Sequence, residues 1–79
     1  MPKFPVVSGK AAIRTLQKHF GCWKEGQEGS HVKMRRMVGG RELNGTVPLH
    51  GELDMKTLLS LLHQLEIGKD EFVKALAKK

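Results

Sequence analysis

Cysteine is almost missing from this chain. Cys22 stands alone among 79 residues, so no internal disulfide can form and a disulfide-stapled secreted domain is excluded. A reducing compartment fits, and a cytoplasmic location is expected. Long apolar runs are missing too. The start, Met1-Pro2-Lys3-Phe4-Pro5-Val6-Val7, holds no stretch of signal-peptide length. The leucine cluster from Leu58 to Leu62 is broken by Ser60 and is far too short to cross a bilayer, so no membrane partner is expected. No repeat or low-complexity segment occurs. Metal-ligand sets are lacking as well. His19 and Cys22 have an x₂ spacing, but no third or fourth ligand lies near, so neither a metal nor a small-molecule cofactor is expected.

Shortness also excludes. A chain of 79 residues makes one domain at most, 1–79, with 1–7 as an extended lead-in. Such a domain buries only about 60% of the surface its unfolded chain exposes. The core must be thin, and a large enclosed substrate pocket is not expected. Any chemistry belongs on an open surface and acts on a large substrate.

Positive charge is what the chain has in excess. Fourteen Lys and Arg stand against eight Asp and Glu, a formal charge of +6. That balance favours a polyanionic partner, nucleic acid first.

Periodicity divides the chain into helical ends and a strand-like middle. Ser8 can cap a helix running to about Phe20, with Ala12, Ile13, Leu16 and Phe20 on one stripe and Gly21 as the stop. Cys22 to Glu25 read as a first strand, with Gln27-Glu28 at the tip of the turn. His31 to Met37 read as a second strand, Gly39-Gly40 as a tight turn, and Glu42 to Leu49 as a third. Asp54 can cap a helix to about Leu65, with Leu58, Leu61, Leu62 and Leu65 on one stripe. Gly68 marks the next break. Asp70 and Glu71 then open a short last helix carrying Phe72, Val73 and Leu76.

If Gly39-Gly40 form the turn, Val32 faces Val47, Met34 faces Gly45 and Arg36 faces Leu43 on a mostly apolar side. The other side pairs His31 with Pro48, Lys33 with Thr46 and Arg35 with Asn44, and has no large apolar group. A turn at Gln27-Glu28 would set Trp23 opposite Val32 and Lys24 opposite His31. The expected fold is α+β in the order α-β-β-β-α with a short C-terminal helix. Its three-stranded antiparallel sheet is covered by helices on one face. The open face would carry Lys24, His31, Lys33 and Arg35.

Ser8-Gly9-Lys10 stands at the first helix, Gly29-Ser30-His31-Val32 in the centre, and Thr46-Val47-Pro48-Leu49-His50-Gly51 after the hairpin. Thr57-Leu58 before the leucine-rich helix and Glu71-Phe72 in the last helix complete the set. In this order the motifs resemble the HicA family of toxins. Two positions depart from the family: Lys56 stands where Gly often precedes the Thr-Leu pair, and Glu25 where a basic residue is common. The resemblance implies a small ribonuclease that cleaves messenger RNA, a HicB-like antitoxin as protein partner, and a fold like the double-stranded-RNA-binding domain. It also implies that His31 is the catalytic histidine.

RNA needs no metal for cleavage, because its 2′-hydroxyl can attack the adjacent phosphate. The protein must take that proton, give one to the leaving 5′-oxygen and steady the added charge. Histidine suits the proton steps. One histidine cannot fill both roles in one step, and Ser30, Lys24, a substrate group and water remain open for the second. Lys24, Lys33 and Arg35 are expected to hold phosphates, with Lys10, Ser30 and His50 as further candidate RNA contacts. His50 could equally shape the turn into the next helix. Gly29, Gly39 and Gly40 serve the turns. Three readings stay open: a metal-independent ribonuclease toxin, an RNA-binding module without catalysis, and a basic protein-binding domain.

Overall fold

The first helix begins where the sequence supplies a hydroxyl. The computed structural model, which describes residues 6–49 and 51–78, places helix α1 at Gly9–His19. Ser8 Oγ accepts from the Ala11 N–H at 3.0 Å. At the other end, the N–H groups of Phe20 and Cys22 both donate to the Leu16 carbonyl, each at 3.2 Å. That reversal needs a left-handed residue, and Gly21 supplies it at φ +65°.

Strands β2 (Trp23–Glu28), β3 (His31–Val38) and β4 (Arg41–Pro48) form an antiparallel sheet in that order. Between β3 and β4 the turn is Gly39-Gly40, both at positive φ. The expected register holds throughout: Val32 faces Val47, Met34 faces Gly45, Arg36 faces Leu43, and His31 faces Pro48. Val32, Met34 and Val47 are buried beneath the helices.

The first hairpin differs from expectation. Its turn is Gly29-Ser30, not Gln27-Glu28, so Glu28 faces His31 and Gln27 faces Val32. The reason is local: a two-residue turn favours positive φ, and Gly29 adopts +60° where Gln27 and Glu28 would be strained. A bulge between Lys24 and Gly26 then shifts the rest of the strand, placing Lys24 opposite Met34 and Trp23 opposite Arg35. The strand starts at Trp23, and Cys22 is buried just before it.

Helix α2 (Met55–Gln64) starts at Asp54, whose Oδ1 accepts from the Thr57 N–H at 2.6 Å. It lies across β4 with Leu58, Leu61, Leu62 and Leu65 buried. Gly45 makes this approach possible: a Cβ there would come within 2.6 Å of a Leu61 methyl. The chain leaves α2 through Glu66, a non-glycine residue at φ +55°. Arg36 holds that exit. Its Nη1 donates to the carbonyls of Leu65 at 2.7 Å and Glu66 at 3.1 Å, and its guanidinium lies over the Phe20 ring. Helix α3 (Lys69–Ala77) packs against α1, with the Phe72 and Phe20 rings 6.3 Å apart.

Two short elements were not expected. Strand β1 (Val7–Ser8) pairs antiparallel with β5 (Glu52–Leu53), so the end of the lead-in is tied down. Two-residue strands are too short to leave a periodic signal. Residues 1–5 of the lead-in lie outside the described residues.

Candidate functional site

The Gly29-Ser30 turn sets His31 at the first position of β3. The Ser30 carbonyl accepts from the Leu49 N–H at 2.7 Å, which fastens the turn to the chain leaving β4. Gln27 Nε2 donates to the Gly29 carbonyl at 3.0 Å and braces it from the other side. His31 is exposed on the face that carries no helix, opposite Glu28 on β2 and Pro48 on β4. Directly opposed residues share a face, with Cβ atoms about 5 Å apart. The Glu28 carboxylate and the His31 imidazole therefore border one patch of surface.

Lys33 is the next residue on that face. Its neighbours across the strands are Gly26 and Thr46, both small, and Lys33 is exposed. An imidazole, a carboxylate and an ammonium thus lie on one open surface, within about two strand positions of one another.

The rest of the expected basic face requires correction. Lys24 is not opposite His31. The bulge puts it on the register side of Met34, where its Nζ donates to Gln27 Oε1 at 2.9 Å at the sheet edge. Arg35 is on the open face, but its guanidinium is in ion pairs with both Glu25 and Glu42. The face carries two cations, Lys33 and Arg35, against three carboxylates, Glu25, Glu28 and Glu42, so its formal charge is slightly negative and it is not basic. Ser30 is half-buried in the turn. Lys10 lies on α1, away from this sheet face. His50 lies outside the described residues.

Three residues on this face were not foreseen. Glu28, expected at the turn tip, stands in β2. The face expected to hold no large apolar group carries Trp23, 41% exposed opposite Arg35, and Met37, 53% exposed farther along. The Gly29 signal was available for Glu28. The bulge that turns Trp23 outward leaves no mark in the sequence.

Cys22 takes no part. It is buried, and that burial pushes its thiol pKa up, against the smaller opposing pull of Arg36. A thiol so placed stays protonated and is a poor nucleophile. Among the described residues no group of three or more His, Cys, Asp and Glu side chains could hold a metal ion, and no helix is long and apolar enough to cross a membrane.

Neither the curated proteins nor the solved structures match this chain. A family model does: the one describing the HicA toxin of bacterial toxin–antitoxin systems matches residues 9–67. That span runs from the start of α1 through the Gly29-Ser30-His31 turn and the whole sheet to the end of α2. The chain belongs to the HicA toxin family.

Proposed function

We propose that this toxin is a metal-independent endoribonuclease that cuts messenger RNA, with His31 moving a proton at the scissile phosphate. The observation that carries the reading is the exposed His31 on the open sheet face, directly across from Glu28 and next to Lys33. Cleavage by the 2′-hydroxyl needs one group to accept that hydroxyl's proton and another to protonate the departing 5′-oxygen. The products are a 2′,3′-cyclic phosphate and a free 5′-hydroxyl. An imidazole and a carboxylate on adjacent strands can divide these two tasks. The Lys33 ammonium meets the charge that builds on the phosphate oxygens.

The antitoxin partner is read as a HicB-like protein that silences the toxin by covering this same face. An open surface with no excess of positive charge and with an exposed Trp23 and Met37 has the composition of a protein-binding patch, where aromatic side chains carry much of the energy. An interface of ordinary size removes about 800 Å² per partner, enough to include His31 when centred on the sheet.

Cleavage of a single-stranded RNA in EDTA tests the catalytic reading. The intact chain should cut it and leave a cyclic phosphate end, and His31→Ala should not. RNA that is bound but never cut would make the chain a non-catalytic RNA-binding module. Amide exchange with and without the antitoxin tests the covering. Protection confined to 54–76, with β3 unchanged, would exclude the steric model.

A further inference from the structure

We propose that the outer face of α1, with the groove it forms against α3, is the surface that seats the sugar–phosphate backbone of RNA. The inference rests on the ribonuclease reading and assigns the binding to a different side of the molecule from the chemistry.

Lys10, Arg14 and Lys18 recur every fourth residue on α1, and all three are exposed. They form one row with a spacing of about 6 Å, of the same order as neighbouring phosphates on a strand. None of them makes an ion pair among the described residues, whose salt bridges involve only Arg35 and Arg41. Like charges at this spacing destabilise a helix. Lys10 also stands in the first turn, which carries no acidic residue. A cation there opposes the helix dipole. Helix α3 shows the ordinary arrangement, with Asp70 and Glu71 in its first turn and Lys74 in its last. Lys18, in the last turn with His19, suits the dipole as Lys74 does in α3. The load on α1 is therefore Lys10 at the wrong end together with like-charge repulsion along the row, and an anion laid along it would relieve that load.

The row borders a groove of about 480 Å³ between α1 and the end of α3. Arg14, Lys18, His19 and Lys78 line it, and among the described residues no acidic side chain does. His19 Nε2 is buried there without a hydrogen-bond partner among the described residues. None of the exposed large apolar side chains of the described residues borders the groove. A protein-docking patch is built around such side chains, whereas a nucleic-acid interface is polar and positive. The row also leads toward the chemistry. Gly9, at the start of α1, packs against the Pro48 carbonyl, and Pro48 is the cross-strand neighbour of His31.

The test uses the full chain carrying His31→Ala, so that the probe is not cut. Its affinity for a fluorescein-labelled single-stranded RNA oligonucleotide is measured in EDTA across a range of salt. Replacing Lys10, Arg14 and Lys18 together by Gln should weaken binding by about tenfold at moderate salt. It should also lower the slope of log affinity against log salt by about 2, at about 0.7 per phosphate contact. A control with Lys56, Lys69 and Lys74 replaced by Gln has the same net charge and should leave most of the slope in place. The unfolding temperature of the α1 variant should be unchanged or raised, since like-charge repulsion is removed.

Equal effects in both triple variants, or no effect in either, would overturn the proposal. Loss of antitoxin binding in the α1 variant with its RNA slope intact would also overturn it, making the row a protein dock. The catalytic reading fails separately. A chain that never cuts RNA but binds it with an α1-dependent slope keeps the binding surface and loses the ribonuclease. Cutting that is intact with no α1 dependence does the reverse.

Discussion

The open sheet face and the outer face of α1 both carry cations, and they use them differently. On the sheet, Arg35 lies between Glu25 and Glu42, and Glu28 sits across from His31. Along α1, Lys10, Arg14 and Lys18 meet no carboxylate among the described residues. The excess of positive charge that marks the composition is therefore uneven. It is cancelled where the candidate chemistry lies and left open on the helix behind it. A count of Lys and Arg predicts a polyanionic partner. It does not say which face the partner meets, because ion pairing is decided by cross-strand register.

The largest expected effect belongs to the sheet face. His31→Ala should reduce RNA cleavage by at least about a hundredfold, the low end for a general acid–base group. It should leave the fold intact, because the side chain is exposed and not in the core. Cleavage rate and the circular dichroism melt, measured on one preparation, check both halves. Full activity in a clean preparation would end the case for this face.

Glu28→Gln comes next, with an expected loss of about tenfold, since water can partly replace a carboxylate as proton acceptor. The sharper readout is the contrast with Glu25→Gln, whose carboxylate serves Arg35 and which should keep most of the activity. Equal losses in the two variants would reduce Glu28 to a solvated strand residue.

Binding contrasts within the sheet should be smaller. Lys33→Gln should lower the salt slope of RNA affinity by about 0.7, one phosphate contact. Arg35→Gln should change it by much less, because Glu25 and Glu42 already hold the guanidinium. A larger change for Arg35 than for Lys33 would mean that the ion pairs open for RNA.

The smallest effect concerns the helix behind the sheet. The Thr57 N–H, hydrogen-bonded to Asp54, holds that carboxyl below the usual carboxylate range. The lowered folded-state value contributes stability that is complete above the ordinary carboxylate pKa and lost as pH falls through the lowered one. Urea midpoints at pH 7 and pH 3 should therefore differ less in Asp54→Asn, which keeps a cap but not the titration. An unchanged pH difference would move the acid sensitivity elsewhere, with the ion pairs of the sheet face as the next place to look.

The three helices and the better-marked half of the sheet could be read along the chain. Ser8, Gly21 and Asp54 are local signals, and each acts within four residues of itself, so caps and stops could be read directly. Gly39-Gly40 pinned one hairpin, and the alternation of Val32, Met34 and Val47 fixed its faces. The place of His31 on the open face was legible because it follows that hairpin's register. The rest was settled by contacts between distant segments. The bulge at Glu25 turned Trp23 outward and Lys24 aside, and a bulge is chosen by how the whole strand fits its neighbour. The pairing of β1 with β5 joins segments more than forty positions apart and only two residues long. The partners of Arg35 and Arg36 come from other strands and from the end of α2, so no reading along the chain could tell a cation that is spent on the fold from one left for RNA.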